Sequence, residues 1–286
     1  MKTKEKLGNE TVLVTDGDLR YIEFECLTEY GETLTHCMST RSGGFSTGEC
    51  SSLNLGFNRN DSRENVLRNF QLLCDSVGFD TGSLILTNQV HGSIVRSVDK
   101  RDSGKGFCRE SDLTGVDGLI TQTDHVTLVT FHADCVPVFL FEPGIKAAAL
   151  LHSGWRGTLK SIVIQALEQM AALPGFHADR LVAVMGPSIG SCCFEVGEDV
   201  YTLFKSKHQN KAFYEVGQNG KWKIDLNAII KTEMIKNGLR TENIHISGIC
   251  TKCRNDLFFS YRGDQGKTGS LAAFMQLKQP AVRSST

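Results

Sequence analysis

The chain has 286 residues, with 31 Lys and Arg against 32 Asp and Glu, giving a formal net charge of −1. That length supports one large core or two modest ones. Near-neutral charge argues against a polyanion-binding surface, so nucleic acid is not expected as a partner. Ordinary aliphatic and charged fractions set disorder aside as the default. The opening Met1-Lys-Thr-Lys-Glu-Lys is polar and leads into no apolar core of a signal peptide. No apolar run reaches the length of a membrane span, so a cytoplasmic protein without membrane contact is expected. The ten cysteines then read as thiols rather than disulfides. Cys26 and Cys74, in apolar stretches, read as small buried hydrophobes.

No repeat, low-complexity stretch or Pro- and Ser-rich linker divides the chain, so a single domain over residues 31–280 is expected, after a lead-in of residues 1–30. Thr35 to Thr40 reads as a strand running into the turn Ser42-Gly43-Gly44. Asp61 or Ser62 can cap a helix whose Val66, Leu67, Phe70, Leu73 and Val77 share a face, with Gly78 as its stop. Short strands at Leu84 to Thr87 and Ile94 to Val98 flank Asn88-Gln-Val-His91-Gly92. Asp99 to Leu113 is polar, charged and Gly-containing, and predicts an exposed loop or a lid. Three β-rich runs follow, Val126 to Phe131, Val136 to Phe141 and Ala147 to Leu151. A Gly-rich turn then opens a helix with an apolar stripe of Leu159, Ile162, Val163, Ala166, Leu167 and Met170, ended by Pro174. Further on come a strand at Leu181 to Met185, a helix near Glu198 to Phe204, and a helix capped by Asp225 and ended by Gly238. The tail alternates at Ile244 to Ile249, Leu257 to Tyr261 and Leu271 to Phe274. Strands outnumber helices without regular βαβ alternation, which favours an α+β fold.

Three residues stand where strands end. His91 sits in a turn, Cys135 lies between two apolar runs, and His152 closes an apolar strand. Such breaks are where a scaffold converges side chains on a cleft. Two imidazoles and one thiolate suit Zn²⁺, with Cu also accepted, and three protein ligands leave a fourth position open. Taken singly, each residue is more often structural, and their long separations carry no signature comparable to a CxxC pair. Gly154-Trp-Arg156-Gly-Thr158 between a strand and a helix places free N–H groups, a guanidinium and a hydroxyl where an anion such as phosphate can bind. Arg41, beside Ser42-Gly43-Gly44, is a weaker candidate of the same type. Cys250-Thr-Lys-Cys253 is a CxxC, but its only companion pair, Cys192-Cys193, is adjacent rather than spaced, so these four read as ordinary thiols. No deaminase signature of the H-x-E…P-C-x-x-C type occurs, nor a convincing GxGxxG, Walker loop, HExxH or GxSxG.

Read in order, a larger set of motifs carries a resemblance. It comprises Met38-Ser39-Thr40-Arg41-Ser42-Gly43-Gly44, Ser52-Leu53-Asn54-Leu55-Gly56, Asn88-Gln89-Val90-His91-Gly92, Asp117-Gly118-Leu119-Ile120-Thr121 and Ala133-Asp134-Cys135-Val136-Pro137. His152-Ser153-Gly154-Trp155-Arg156-Gly157-Thr158, Gly186-Pro187-Ser188-Ile189-Gly190 and Phe258-Phe259-Ser260-Tyr261-Arg262 complete it. From about Thr35 to Phe274 the chain resembles the YfiH-like, laccase-domain family, once labelled multicopper polyphenol oxidases.

The resemblance implies a single-domain α/β/β/α sandwich with mixed sheets and a metal held by His91, Cys135 and His152. It implies purine nucleosides and phosphate as partners: phosphorolysis of adenosine, inosine and methylthioadenosine, together with deamination of adenosine. Arg156 would supply phosphate near the ribose C1′, an open zinc position would serve attack at C6 of adenine, and Asp134 would orient a ligand or shuttle a proton. Three departures are visible. Ser153 stands where the family usually has Ala, Gly263 and Ser270 stand where it often has Arg, and Asp99 to Leu113 lengthens the His91–Cys135 interval. Two other functions compete. A copper polyphenol oxidase needs further metal sites from only eight histidines. A metal-free Cys/His hydrolase or deamidase would use Cys135 as nucleophile and His152 as base, on a fold similar to that of the bacterial necrotising-factor toxins.

Overall fold

The computed structural model describes residues 2–279. The expected domain end at residue 280 lies just outside them. Two large sheets pack face to face with helices on both outer sides, the α/β/β/α sandwich of mixed sheets. The seven-stranded sheet runs Thr3–Gly8, Thr11–Asp16, Leu19–Phe24, Leu34–Ser39, Leu271–Leu277, Thr127–His132, Leu84–Leu86, in that spatial order. All its pairs are antiparallel except the last. The residues expected as a lead-in thus supply its first three strands. The six-stranded sheet runs Ile244–Ile246, Val182–Met185, Val136–Glu142, Ala147–Ser153, Val116–Thr121, Ile94–Ser97. Its two edge pairs are parallel and its inner pairs antiparallel.

Strand period 2 builds the layers. Along Val136–Glu142, Phe139 and Phe141 point between the sheets while Val138 and Leu140 point to the outer helices. Phe24, Met38, Leu128 and Met275 meet them from the other sheet. On the outside of the seven-stranded sheet, Val14, Cys37, Val129 and Phe274 bury the face of helix Arg63–Val77 that carries Val66, Phe70 and Leu73. That helix begins and ends where its sequence dictates. The Ser62 hydroxyl accepts from Asn65 N–H, and Gly78 takes the left-handed φ of 95° that closes it.

Beyond the lead-in, the structure departs from or refines the sequence expectations in three places. The helix expected after the Gly-rich turn is two helices, Trp155–Leu159 and Ile162–Ala171, broken at Ser161 with φ 55°. The Ser161 hydroxyl donates to Glu233 and accepts from Lys207, so tertiary hydrogen bonds hold the break. Leu257 to Tyr261 forms turns, not a strand, although Leu257, Phe258 and Phe259 are buried. Asp99 to Leu113 is the expected loop, with Arg101, Cys108, Arg109 and Glu110 exposed, but it is anchored at several points. Phe107 lies 5.0 Å from the Phe70 ring, and Lys105 pairs with Asp102 and Asp112. Among the described residues, no helix is long and apolar enough to cross a membrane.

Candidate metal centre and active-site cavity

The connection His132 to Val136 carries the chain from one sheet to the other, and Cys135 sits on it. His152 is the penultimate residue of Ala147–Ser153, paired with Pro137 immediately beside that crossover. His91 lies on the loop between Leu84–Leu86 and Ile94–Ser97, in the left-handed region at φ 59°. The fold brings these three together: one ligand atom from each lies within 4.8 Å of the other two.

Asp117, the second residue of Val116–Thr121, organises both histidines. Its carboxylate accepts the backbone N–H groups of Val90, His91 and Gly92 at 3.2, 3.0 and 2.8 Å. Its Oδ1 lies 2.8 Å from His152 Nδ1. A fully buried carboxylate costs several kcal/mol unless such partners surround it (roughly 3–5 kcal/mol when one is removed). Burial alone would raise its pKa, but His152 and the loop amides hold it below the usual range. The bond to Nδ1 fixes the tautomer and leaves Nε2 to face the centre. Burial also pushes the Cys135 thiol up, yet His152 and His91 outweigh it and bring the pKa to about 6. His152 is correspondingly raised to about 9: burial opposes its charge, and Cys135 and Asp117 favour it. Cys135 is therefore set to be a thiolate at neutral pH, the state a metal requires.

The donor set fits a metal ion in one further respect. A Cβ added at Gly154 would stand 2.8 Å from His91 Cδ2 and 3.0 Å from Cys135 Sγ. Its backbone, at φ −71° and ψ 170°, is open to any residue. Glycine is needed there because the space among the three donors must stay clear.

These residues floor a cavity of about 800 Å³, within the usual range of small-molecule sites. Arg59, Arg63, Arg156 and Arg262 line it, with Asp134 as the single lining carboxylate among the described residues. The Asp134 charge is already engaged. Its Oδ1 accepts from Thr251 and Ser260 hydroxyls at 2.7 and 2.6 Å, and its Oδ2 from Arg262 N–H at 2.7 Å. Four guanidinium groups against one carboxylate make the lining positive although the whole chain is near neutral. Phe57, Phe131, Trp155, Phe194 and Tyr261 give it flat apolar walls.

The anion candidates part company in the structure. Arg156 faces the cavity and lies over the Trp155 ring at 4.2 Å. Thr158 is buried beneath the turn, bonded to the Ser153 hydroxyl at 2.8 Å and to Gly154 O at 3.1 Å. Arg41 lies outside the cavity lining, bonded to Asn255 O at 2.9 Å and stacked on Phe259. Sequence reasoning singled out neither Asp117 nor Gly154 as a site residue, and it passed over Arg59, Arg63 and Arg262. Arg59 reaches across from its own loop to donate to Ser270 Oγ at 2.8 Å, putting a guanidinium beside a position that itself lacks one. Gln89 was also passed over: it exchanges hydrogen bonds with Phe131 N and O at 2.6 and 2.8 Å, pinning the His91 loop to the sheet. His132 is kept neutral by burial and by His152, with Thr130 Oγ1 at 2.8 Å from its Nε2.

With this geometry in hand, comparison with known proteins decides the family. Residues 35–278 match the family model described as multi-copper polyphenol oxidoreductase laccase. The chain belongs to this family of enzymes. Purine nucleoside phosphorylase YlmD of Bacillus subtilis is 33% identical over 245 residues, covering 84% of this chain and 87% of the relative. Adenosine deaminase RL5, from an unknown prokaryotic organism, is 35% identical over 193 residues, covering 66% of this chain and 73% of the relative. The crystal structure of Bacillus licheniformis hypothetical protein YfiH superposes with a TM-score of 0.87 at 28% identity, covering 93% of this chain and 99% of that one. YlmD from Geobacillus stearothermophilus gives 0.86 at 28% identity, covering 93% and 98%.

Proposed function

We propose that the protein is a zinc-dependent purine nucleoside phosphorylase that also deaminates adenosine, acting in the cytoplasm, where its thiols stay reduced. The observation that carries this reading is the placement of the His91–Cys135–His152 donor set at the floor of an arginine-lined cavity. The relatives named as purine nucleoside phosphorylases and as an adenosine deaminase support it.

In phosphorolysis a phosphate oxygen attacks the ribose C1′, the glycosidic C–N bond breaks, and the base leaves as ribose 1-phosphate forms. Adenosine, inosine and methylthioadenosine share that bond. The chain's own groups suit the task. Arg156, with Arg59, Arg63 and Arg262 around the same cavity, would hold the phosphate as fixed guanidinium donors. Trp155, Phe194 and Tyr261 offer planar faces to the purine. Asp117 holds His152 in one tautomer, and Asp134, tied by three donors, keeps the Cys135 crossover in place. We assign Asp134 a positioning role and Cys135 the role of metal ligand. Zinc, when bound, would supply Lewis-acid polarisation and activate the water that displaces ammonia from C6. The three donors would accept copper as well.

One observation favours a second reading. Asp117, His152 and Cys135 stand in the order of a carboxylate–imidazole–thiol triad, with the thiol pKa lowered to about 6. A metal-free Cys/His hydrolase or deamidase would use that array and leave His91 without a part. A copper polyphenol oxidase fits less well: among the described residues, only one candidate donor group contains two histidines.

The deciding experiment follows adenosine by chromatography, with and without phosphate, for the wild type and Cys135→Ala. Phosphate-dependent adenine, plus inosine without phosphate, both lost in the variant, is the expected result. Unchanged adenosine, together with rapid alkylation of Cys135 in protein as purified, would instead favour the hydrolase.

A further inference from the structure

A second sulfur-rich cluster lies away from the cavity floor. Cys192, Cys193, Cys250 and Cys253 bring their four Sγ atoms within 4.8 Å of one another. Cys253 Sγ stands 3.7 Å from Cys192 Sγ and 3.5 Å from Cys193 Sγ. These are not bonded pairs, since a disulfide requires about 2.05 Å. A tetrahedron of thiolates around Zn²⁺ at about 2.3 Å has edges of about 3.8 Å. The observed separations lie close to that figure, and Cys253 sits against two partners at once, so no unique disulfide pair stands out.

We propose that these four cysteines hold a structural zinc ion. The sequence alone argues against it, because Cys192 and Cys193 are adjacent. The fold supplies what spacing does not. Ser188 and Cys250 form a parallel bridge, with Ser188 N–H donating to Ile249 O at 3.2 Å and Thr251 N–H to Ser188 O at 3.0 Å. Just beyond it, Cys193 N–H turns back to Gly190 O at 2.9 Å and Arg254 N–H to Cys250 O at 2.9 Å. Each turn presents its two sulfurs to the other. A Cβ at Gly190 would meet Cys192 Sγ at 3.2 Å and Cys250 Cβ at 3.3 Å, so a side chain there would crowd the two loops where they approach. Four thiolates with one Zn²⁺ carry a charge of −2, and Lys252 stands in the same turn, whereas Arg254 is already paired with Asp256 at 2.9 Å.

The cluster closes the coordination sphere, leaving no position for substrate, and its effect is mechanical. Ile189 N–H donates to Asp134 O at 2.8 Å, and the Thr251 hydroxyl donates to Asp134 Oδ1 at 2.7 Å. Asp134 precedes Cys135, so an ion joining the two loops braces the crossover that bears the thiolate at the cavity floor. It also fixes Phe194, next to Cys193 and part of the cavity wall.

The test is zinc counting on the full chain purified under reducing conditions, with X-ray absorption to count sulfur ligands per zinc. Two zinc ions sharing five thiolates are expected in the wild type. Cys250→Ser with Cys253→Ser should lose one ion, and the remaining ion should show a single sulfur. Cys135→Ala should keep one ion ligated by four sulfurs, which separates this proposal from the fate of the cavity-floor site. If the double variant fails to fold, the sulfur count of the wild type and of Cys135→Ala still decides. Zinc bound with one sulfur only, or a disulfide joining the two loops in place of metal, would overturn the proposal.

Discussion

The two donor clusters differ in donor type, donor number and setting. At the cavity floor, three ligands come from three separate segments, two of them histidines, and a glycine keeps the space among them clear. At the second cluster four cysteines from two turns surround one point, three of them partly or fully exposed. A three-donor site leaves a coordination position for chemistry, whereas a four-thiolate site is complete and can only hold structure. On the proposed readings, what would separate a catalytic centre from a structural staple is the number of donors and what surrounds them: buried Asp117 and an arginine-lined cavity in one case, tied loops in the other.

The largest effect should come from Gly154→Ala. The added methyl displaces the His91 ring from 2.8 Å contact, while the backbone conformation tolerates Ala. Zinc at the cavity floor and nucleoside turnover should both be lost, with the folded circular-dichroism spectrum and the four-sulfur ion retained. Loss of both ions together would mean the clusters are not independent. Next, Asp117→Asn keeps the shape but removes the charge that fixes His152 and the His91 loop. A 10- to 100-fold fall in activity or metal affinity is expected, on the order seen for such supporting carboxylates, measured by kcat and by competition with a chelator. Smallest, Arg156→Ala should raise KM for phosphate by about tenfold, the value of one charge-assisted hydrogen bond, with little change in KM for nucleoside. A change confined to the nucleoside would move the phosphate site to another arginine.

The same contrast explains what was legible in the sequence. Helix boundaries that rest on local chemistry, such as the Ser62 cap, the Gly78 stop and the Asp225 cap, can be read directly. So can strands that alternate, and donors that stand at strand ends. Features made by tertiary packing cannot. The break at Ser161 depends on Glu233 and Lys207, far along the chain. Arg59 reaches the cavity through Ser270, 211 residues away. Cys192 and Cys193 come within 4.8 Å of Cys250 and Cys253 beside the bridge between Ser188 and Cys250, a pairing that spacing does not announce. Asp117 left a faint signal, a carboxylate inside an otherwise apolar strand, which a buried partner must explain. Gly154 left none beyond its place in a Gly-rich turn, since its role is steric and not conformational.

The most direct test is to strip the cavity-floor metal, confirm by sulfur count that the four-cysteine ion stays, and restore zinc stepwise while following phosphate-dependent release of adenine from adenosine. Activity should return in proportion to zinc regained at His91, Cys135 and His152, reaching its full value at one equivalent. Full activity in the stripped protein would contradict a metal-dependent enzyme and leave the Asp117–His152–Cys135 array as the catalyst.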